Sequence, residues 1–309
     1  MTASLQGRRI AVTGAGGFLG GATVAALSEA GASVAALAGP PGHAPASALR
    51  AATISFAEIC DLDAVLRSLD GADTVVHLAG PPSVAESFRD PIGYVRIHAE
   101  GTATVLEACR SRGIRQLVHV SSAEVYGQPL RSPVPEDHPL SARSPYAAAK
   151  ICAEKLVEAY AHAYGLRCVI LRPFSIYGPG ASPQSLISRI LSLGRAGERI
   201  VLRDLRPVRD YCFVTDAADA IARACALEAR SLEIFNLGTM RGASAGEVAR
   251  ILAQALGVDA PVGEAGERDR PAASEIYQLV ADNRRACSVL QWKPEVTLEE
   301  GLRIVAGAR

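Results

Sequence analysis

A chain of 309 residues with 49% hydrophobic content has apolar mass for one large core or two modest ones. Its 32 basic and 32 acidic side chains cancel to a formal net charge of zero, and no Lys/Arg run offers a footprint for nucleic acid or an anionic membrane. No apolar stretch approaches membrane-spanning length, and the opening "MTASLQGRRIAVTGAGG" passes from a short polar leader into a strand and a glycine turn, which predicts no secretory signal. The cysteines (Cys60, Cys109, Cys152, Cys168, Cys212, Cys225 and Cys287) are scattered, odd in number and form no CxxC pair, so free thiols in a reducing cytoplasm are expected. Neither they nor the histidines show ligand spacing, and no metal is expected.

In chain order, "RRIAVTG", "ASVAALA", "DTVVHLAG", "QLVHVSS" and "LRCVILRP" read as short buried strands. Amphipathic segments such as "GGATVAALSEAG" and "GTATVLEACRSRG" lie between them. Strands apolar nearly throughout, alternating with helices, predict an α/β fold with a parallel sheet covered on both faces. After Arg172 the regularity fades into "PFSIYGPGASP", "RDLRPVRDY" and the loop-like "GVDAPVGEAGERDRPAAS". "YCFVTDAADAIARACALEA" and "LEIFNLG" then return to helix and strand patterns. The expectation is a dinucleotide-binding domain over 1–172, with 210–238 rejoining it, and a smaller interleaved lobe over 173–209 and 239–309.

"VTGAGGFLGG" places Gly14, Gly17 and Gly20 at three-residue intervals between the first strand and the first helix. Glycines there let the backbone approach a pyrophosphate, and the helix N-terminus supplies free N–H groups and partial positive charge. A tight turn without function is the competing reading. In "CDLDAV", Asp61 fits either an acceptor for an adenine amino group, with Leu62 over the ring, or a plain helix N-cap. "SPYAAAK" opens a helix with Ser144 as N-cap and Pro145 at the first position. Tyr146 and Lys150 then share one face, either as an interacting pair or as two surface residues.

These pieces, with "HLAG", "VSSAEVYG", "LRPFSIYGPG", "RDYCFVTD", "FNLG" and "WKPEVTLEEGL", resemble the extended short-chain dehydrogenase/reductase family, in its nucleotide-sugar epimerase and dehydratase branch, over nearly the whole chain. The resemblance implies a Rossmann-type doubly wound parallel sheet with a substrate-binding lobe. It makes Tyr146 the acid/base, Lys150 the residue that binds the nicotinamide ribose and depresses the phenol, and Ser122 the hydrogen-bond donor to the reacting oxygen. A free phenol titrates near ~10, and an ammonium about 4 Å away at an effective dielectric near 20 is worth roughly 4 kcal/mol, or about three pH units. Tyr146 is therefore expected near neutrality. The implied cofactor surface comprises Gly14, Gly17, Phe18, Leu19, Gly20, Asp61, Leu62, Leu78, Ala79, Gly80, His98, Tyr146, Lys150 and Pro173. Implied substrate contacts are Ser83, Ser122, Ser175 and two phosphate-clamping arginines, Arg209 and Arg270, whose planar forks suit a diphosphate.

The implied activity is NAD(P)-dependent epimerisation of a nucleotide sugar through a 4-keto intermediate, with NAD expected and NADP left open. Ala38 stands where an acidic residue usually holds the adenosine ribose, and no arginine replaces it. An NADPH-dependent 4-ketosugar reductase would use the same Ser/Tyr/Lys set. A dehydratase or decarboxylase would draw on Glu124, although Ala123 occupies the slot where dTDP-glucose 4,6-dehydratases place an aspartate. A dinucleotide-binding regulator without catalysis would not need the set at all. His98 and Ser175 replace asparagines common in the family. The resemblance also implies a homodimer, with segments Tyr94 to Ser111 and Tyr146 to Ala163 forming a four-helix interface.

Overall fold

The structure is a computed structural model that describes residues 4–39, 51–228, 231–258, 263–264 and 271–307. The first half runs β1 (Arg9–Thr13), α1 (Phe18–Glu29), β2 (Ser33–Leu37), β3 (Thr53–Ser55), α2 (Leu62–Ser68) and β4 (Thr74–His77). Short helices α3 (Val84–Ser87) and α4 (Pro91–Val95) then lead through a π-helical turn, Arg96–Glu100, into α5 (Gly101–Arg112). The strand β5 (Gln116–Val120), helix α6 (Pro145–Tyr164) and strand β6 (Arg167–Pro173) complete it. Every residue of β5 is buried, as a central parallel strand covered on both faces requires.

The remainder comprises β7 (Ser175–Tyr177), α7 (Leu186–Arg195), β8 (Val201–Leu202), β9 (Val208–Phe213), α8 (Val214–Ala226) and β10 (Leu232–Leu237). After these come β11 (Gly242–Ser244), α9 (Ala245–Leu256), β12 (Gly263–Glu264), β13 (Gln278–Leu279), α10 (Arg284–Val289) and α11 (Leu298–Gly307). The main sheet has the order β10-β6-β5-β4-β1-β2-β3, and all its pairings are parallel. The strand order reverses between β1 and β4, so a crevice opens at their C-terminal ends, where open α/β sheets bind ligands.

Alternation along β1 shows how both faces are filled. Ile10 and Val12 join a cluster with Val24 and Leu27 of α1 and Ile221 of α8. Ala11 faces the other way, toward Val65 of α2, Leu106 of α5 and Val157 of α6. A side-chain period of two turns one strand into the floor of two cores. The smaller sheet, β11-β9-β13 with β7 beside β9, packs with α7, α9 and α11 around a third cluster. Of the two segments that return to regular structure after Arg172, "YCF" lies in β9 of this smaller sheet, while "LEIFNL" is β10 at the edge of the main one.

Candidate active site

The glycine turn sits at the crevice. Gly14 has φ +71°, in the left-handed region, and a Cβ there would lie 2.7 Å from the backbone nitrogen of Ala79. A Cβ on Gly20 would strike the carbonyl oxygen of Gly14. Helix α1 starts at Phe18 from Gly17, which has no side chain to cap it. The first-turn amides therefore have no intrahelical acceptor and open toward the crevice floor, a ready anion cradle. Leu78, Ala79 and Gly80 follow β4 directly across from this turn, Leu19 packs between two core clusters, and Pro173 ends β6. The backbone cradle thus fits a dinucleotide pyrophosphate.

Next to the cradle lies the polar set. Ser144 caps α6 through a 3.1 Å bond from the Ala147 amide, which fixes where Tyr146 begins its turn. Tyr146 is 7% exposed and lies beside Ser122, whose Oγ accepts from the Glu124 amide at 3.2 Å. Lys150 is 5% exposed and donates to the carbonyl of Val120 at 2.9 Å. Burial pushes the Tyr146 phenol up to about 12, the neighbouring Ser122 hydroxyl works against it, and the half-buried Glu124 carboxylate adds to it. The expectation of a phenol near neutrality is thus corrected. Desolvation wins, and the Lys150 ammonium is directed at the β5 backbone rather than at the phenol. Burial in turn lowers Lys150 to about 8.

His98 lies in the π-helical turn, buried, with its ring edge-on to Tyr146 at a centroid distance of 5.3 Å. Its Nε2 is 3.0 Å from the carbonyl of Pro81, which can only accept, so the proton is on Nε2. A Cβ on Gly80 would collide with this imidazole. Desolvation and then the Lys150 charge hold His98 down to about 2, so it stays neutral.

Other expected contacts separate from this set. Asp61 caps α2 by accepting from Ala64 at 3.0 Å, and Leu62 is exposed. Ser83 caps α3, and Ser175 is half-buried in β7 beside Tyr211 of β9. Arg209, expected to clamp phosphate, donates to Ile276 at 2.7 Å and lies 3.7 Å from Glu275, so its fork is turned inward. Arg270 lies outside the described residues, as do 40–50 beyond Ala38. Ala38 itself is 5% exposed at the end of β2 and offers no carboxylate. Ala123 is buried beside Ser122.

Sequence reasoning missed His77 and His119, both fully buried around Lys150. A polar chain runs from Thr13 Oγ1 to His77 Nδ1 at 2.7 Å, then from His77 Nε2 to Thr102 Oγ1 at 3.1 Å and on to the His98 carbonyl at 2.5 Å. Their one signal was a histidine inside each of two apolar strands. No group of three or more potential metal ligands occurs among the described residues.

A doubly wound α/β sheet, a glycine cradle at its switch point and a Ser–Tyr–Lys set with its tyrosine and lysine buried define a dinucleotide-dependent enzyme class. The model of the NAD dependent epimerase/dehydratase family matches residues 10–238, and the chain belongs to that family. A UDP-glucose 4-epimerase of Mycolicibacterium smegmatis is 34% identical over 314 residues, covering 95% of this chain and 96% of that protein. A dTDP-glucose 4,6-dehydratase of Streptomyces griseus is 33% identical, covering 94% of this chain and 90% of its own length. The crystal structure of a Thermotoga maritima UDP-glucose 4-epimerase with UDP-glucose superposes with a TM-score of 0.88 at 30% identity, over 96% of this chain and 97% of that one.

Proposed function

We propose that the protein is an NAD-dependent nucleotide-sugar epimerase that inverts C4 of a UDP-type sugar through a transient 4-keto intermediate. The observation that carries this reading is the juxtaposition of buried Tyr146 and Lys150, one turn apart on α6, with Ser122 beside the phenol at the mouth of the glycine cradle. Bound NAD supplies the hydride acceptor that later returns the hydride. With NAD bound, Tyr146 would act as its phenolate: its Oη would take the proton of the C4 hydroxyl and, as a phenol, return it after the ketone has presented its other face. Ser122 donates to that oxygen and holds it in line with the phenol. Lys150 would supply the positive charge that favours the phenolate before proton abstraction, and would hold the nicotinamide ribose hydroxyls. The first-turn amides of α1 would hold the pyrophosphate, and contacts of Asp61, Leu62, Ser83, Ser175 and Arg270 are proposed from family resemblance alone.

Denaturing the purified protein and identifying the released dinucleotide tests the cofactor. Near-stoichiometric NAD, with interconversion of UDP-glucose and UDP-galactose, is expected. Tyr146→Phe should cut that turnover about 10³-fold while leaving the fold intact. Full activity in Tyr146→Phe would refute the assignment. Glu124, whose charge reaches Tyr146, keeps elimination as the second reading, and a 4-keto-6-deoxy product would establish it. An empty protein that prefers NADPH would point to a ketosugar reductase.

We further propose a homodimer that pairs the Tyr94–Ser111 and Tyr146–Ala163 segments across a two-fold axis. Val95 is 46% exposed near this face, and a monomeric mass in light scattering at micromolar concentration would overturn the pairing. The free cysteines, with Cys109, Cys168, Cys212 and Cys225 buried, support a cytoplasmic site of action. No described helix is long and apolar enough to cross a membrane.

A further inference from the structure

The groups assigned to proton transfer come from two elements. Tyr146 and Lys150 ride on α6, and Ser122 is the N-cap of the short 3₁₀ turn Ala123–Tyr126 that follows β5. Hydrogen bonds lock Ser122 into that turn: its carbonyl accepts from the Val125 amide at 3.3 Å and its Oγ from the Glu124 amide at 3.2 Å. The turn continues through a 3.1 Å bond from the Gly127 amide to the Glu124 carbonyl, so a shift of Tyr126 carries Ser122 with it.

Arg172 of β6 holds both elements with one guanidinium. Its Nε and Nη2 donate to Glu154 Oε1 and Oε2 at 3.0 and 2.7 Å, and Glu154 lies about two helical turns beyond Tyr146 on α6. Its Nη1 donates to Tyr126 Oη at 2.8 Å and to the Glu136 carbonyl at 3.0 Å. Asn236 of β10 donates its Nδ2 to the Val134 carbonyl at 2.8 Å, so its Oδ1 is left to accept from Tyr126 Oη at 2.7 Å. Burial raises the Tyr126 phenol to about 12, so it keeps the proton that this bond needs. Arg172, Glu154 and Tyr126 are all buried, and the guanidinium is planar and rigid. The spacing of its arms therefore sets the separation of α6 from the turn.

We propose that Arg172 and Tyr126 are positioning residues of the active site: their hydrogen bond braces the turn against α6 and so sets where Ser122 stands relative to Tyr146. The consequence for turnover rests on the epimerase reading above, in which both hydroxyls act on one substrate oxygen. The brace itself is a matter of position, and testing it needs neither cofactor nor substrate. Tyr126→Phe keeps the ring beside His138 and Phe174 and deletes only the hydroxyl.

Crystal structures of the wild-type protein and Tyr126→Phe in one crystal form should show Ser122 Oγ displaced relative to Tyr146 Oη by about 0.5 Å or more, the tolerance of a working site. An unmoved Ser122 would overturn the proposal, whatever the activity. In the epimerase assay, kcat per folded molecule should fall about tenfold, the worth of one hydrogen bond, with KM for the UDP-sugar little changed. In a Ser122→Ala background the same substitution should cost less than about twofold, because the brace acts through that serine. Losses that multiply in the double variant, or an unchanged kcat in Tyr126→Phe, would mark the pair as purely structural and refute the proposal. Should Tyr126→Phe fail to fold, Arg172→Lys, which keeps a charge for Glu154 but loses the fork, faces the same criteria. Absence of epimerase activity, or full turnover in Ser122→Ala, would instead sink the reading of the site, and the crystal structures alone then decide the brace.

Discussion

Acid should unfold this protein unusually early, and the three histidines around Lys150 set the pH. Burial holds His77 down to about 3, His98 to about 2 and His119 well below its ordinary value. In the unfolded chain each titrates near 6.5, so below that pH the unfolded state binds more protons and native stability falls with falling pH. At pH 5 each neutral imidazole forfeits about 2 kcal/mol and the three together about 6 kcal/mol, with a local slope of about 4 kcal/mol per pH unit. A domain's whole stability is about 5–15 kcal/mol, so the loss is decisive. Urea denaturation at pH 7, 6 and 5 measures it, with the single tryptophan, Trp292, as a reporter buried to 1% exposure. His119 makes no hydrogen bond through either ring nitrogen, so His119→Leu should reduce the slope by about 1.4 kcal/mol per pH unit without loss at pH 7. Stability that stays flat from pH 6.5 to 5, or an unaltered slope in His119→Leu, would refute the reasoning.

Gly14→Ala should abolish dinucleotide binding, measured by titration calorimetry, because it needs φ +71° and sets a methyl 2.7 Å from the Ala79 nitrogen. Glu124→Gln should slow epimerisation less than about tenfold in a coupled assay, whereas an elimination that used this carboxylate would lose about 10²–10⁴-fold. Phe235→Ala, in a fully buried position on β10, should cost about 3–5 kcal/mol in chemical denaturation.

The five main strands were legible because each is a short apolar run bounded by turn residues, and the cap at Ser144 announced α6 to the residue. The glycine spacing located the cradle for the same reason: only glycine fits at Gly14 and Gly20. What the sequence could not reveal is direction. The four-residue spacing of Tyr146 and Lys150 suggested an ammonium aimed at a phenol, but the carbonyl of Val120 from β5 captures it. Arg209 was legible as a cation but not as one turned toward Ile276. Short β3 and the two strand histidines carry too little periodicity to announce themselves, and the buried Glu154–Arg172 ion pair, 2.7 Å between α6 and β6, joins residues whose proximity depends on how the helix lies across the strand.

The path of the chain bears on what a proteolytic cut can do. Beyond β6 it builds most of the smaller sheet before α8 comes back against α1 and β10 pairs with β6 from Leu232 opposite Cys168 to Leu237 opposite Pro173. A fragment ending at residue 172 would expose that strand edge along with the apolar surface that Ile221 and Phe235 cover. A nick anywhere between β6 and β10 would therefore leave two pieces sharing one core, held together as a complemented pair rather than released as separate domains.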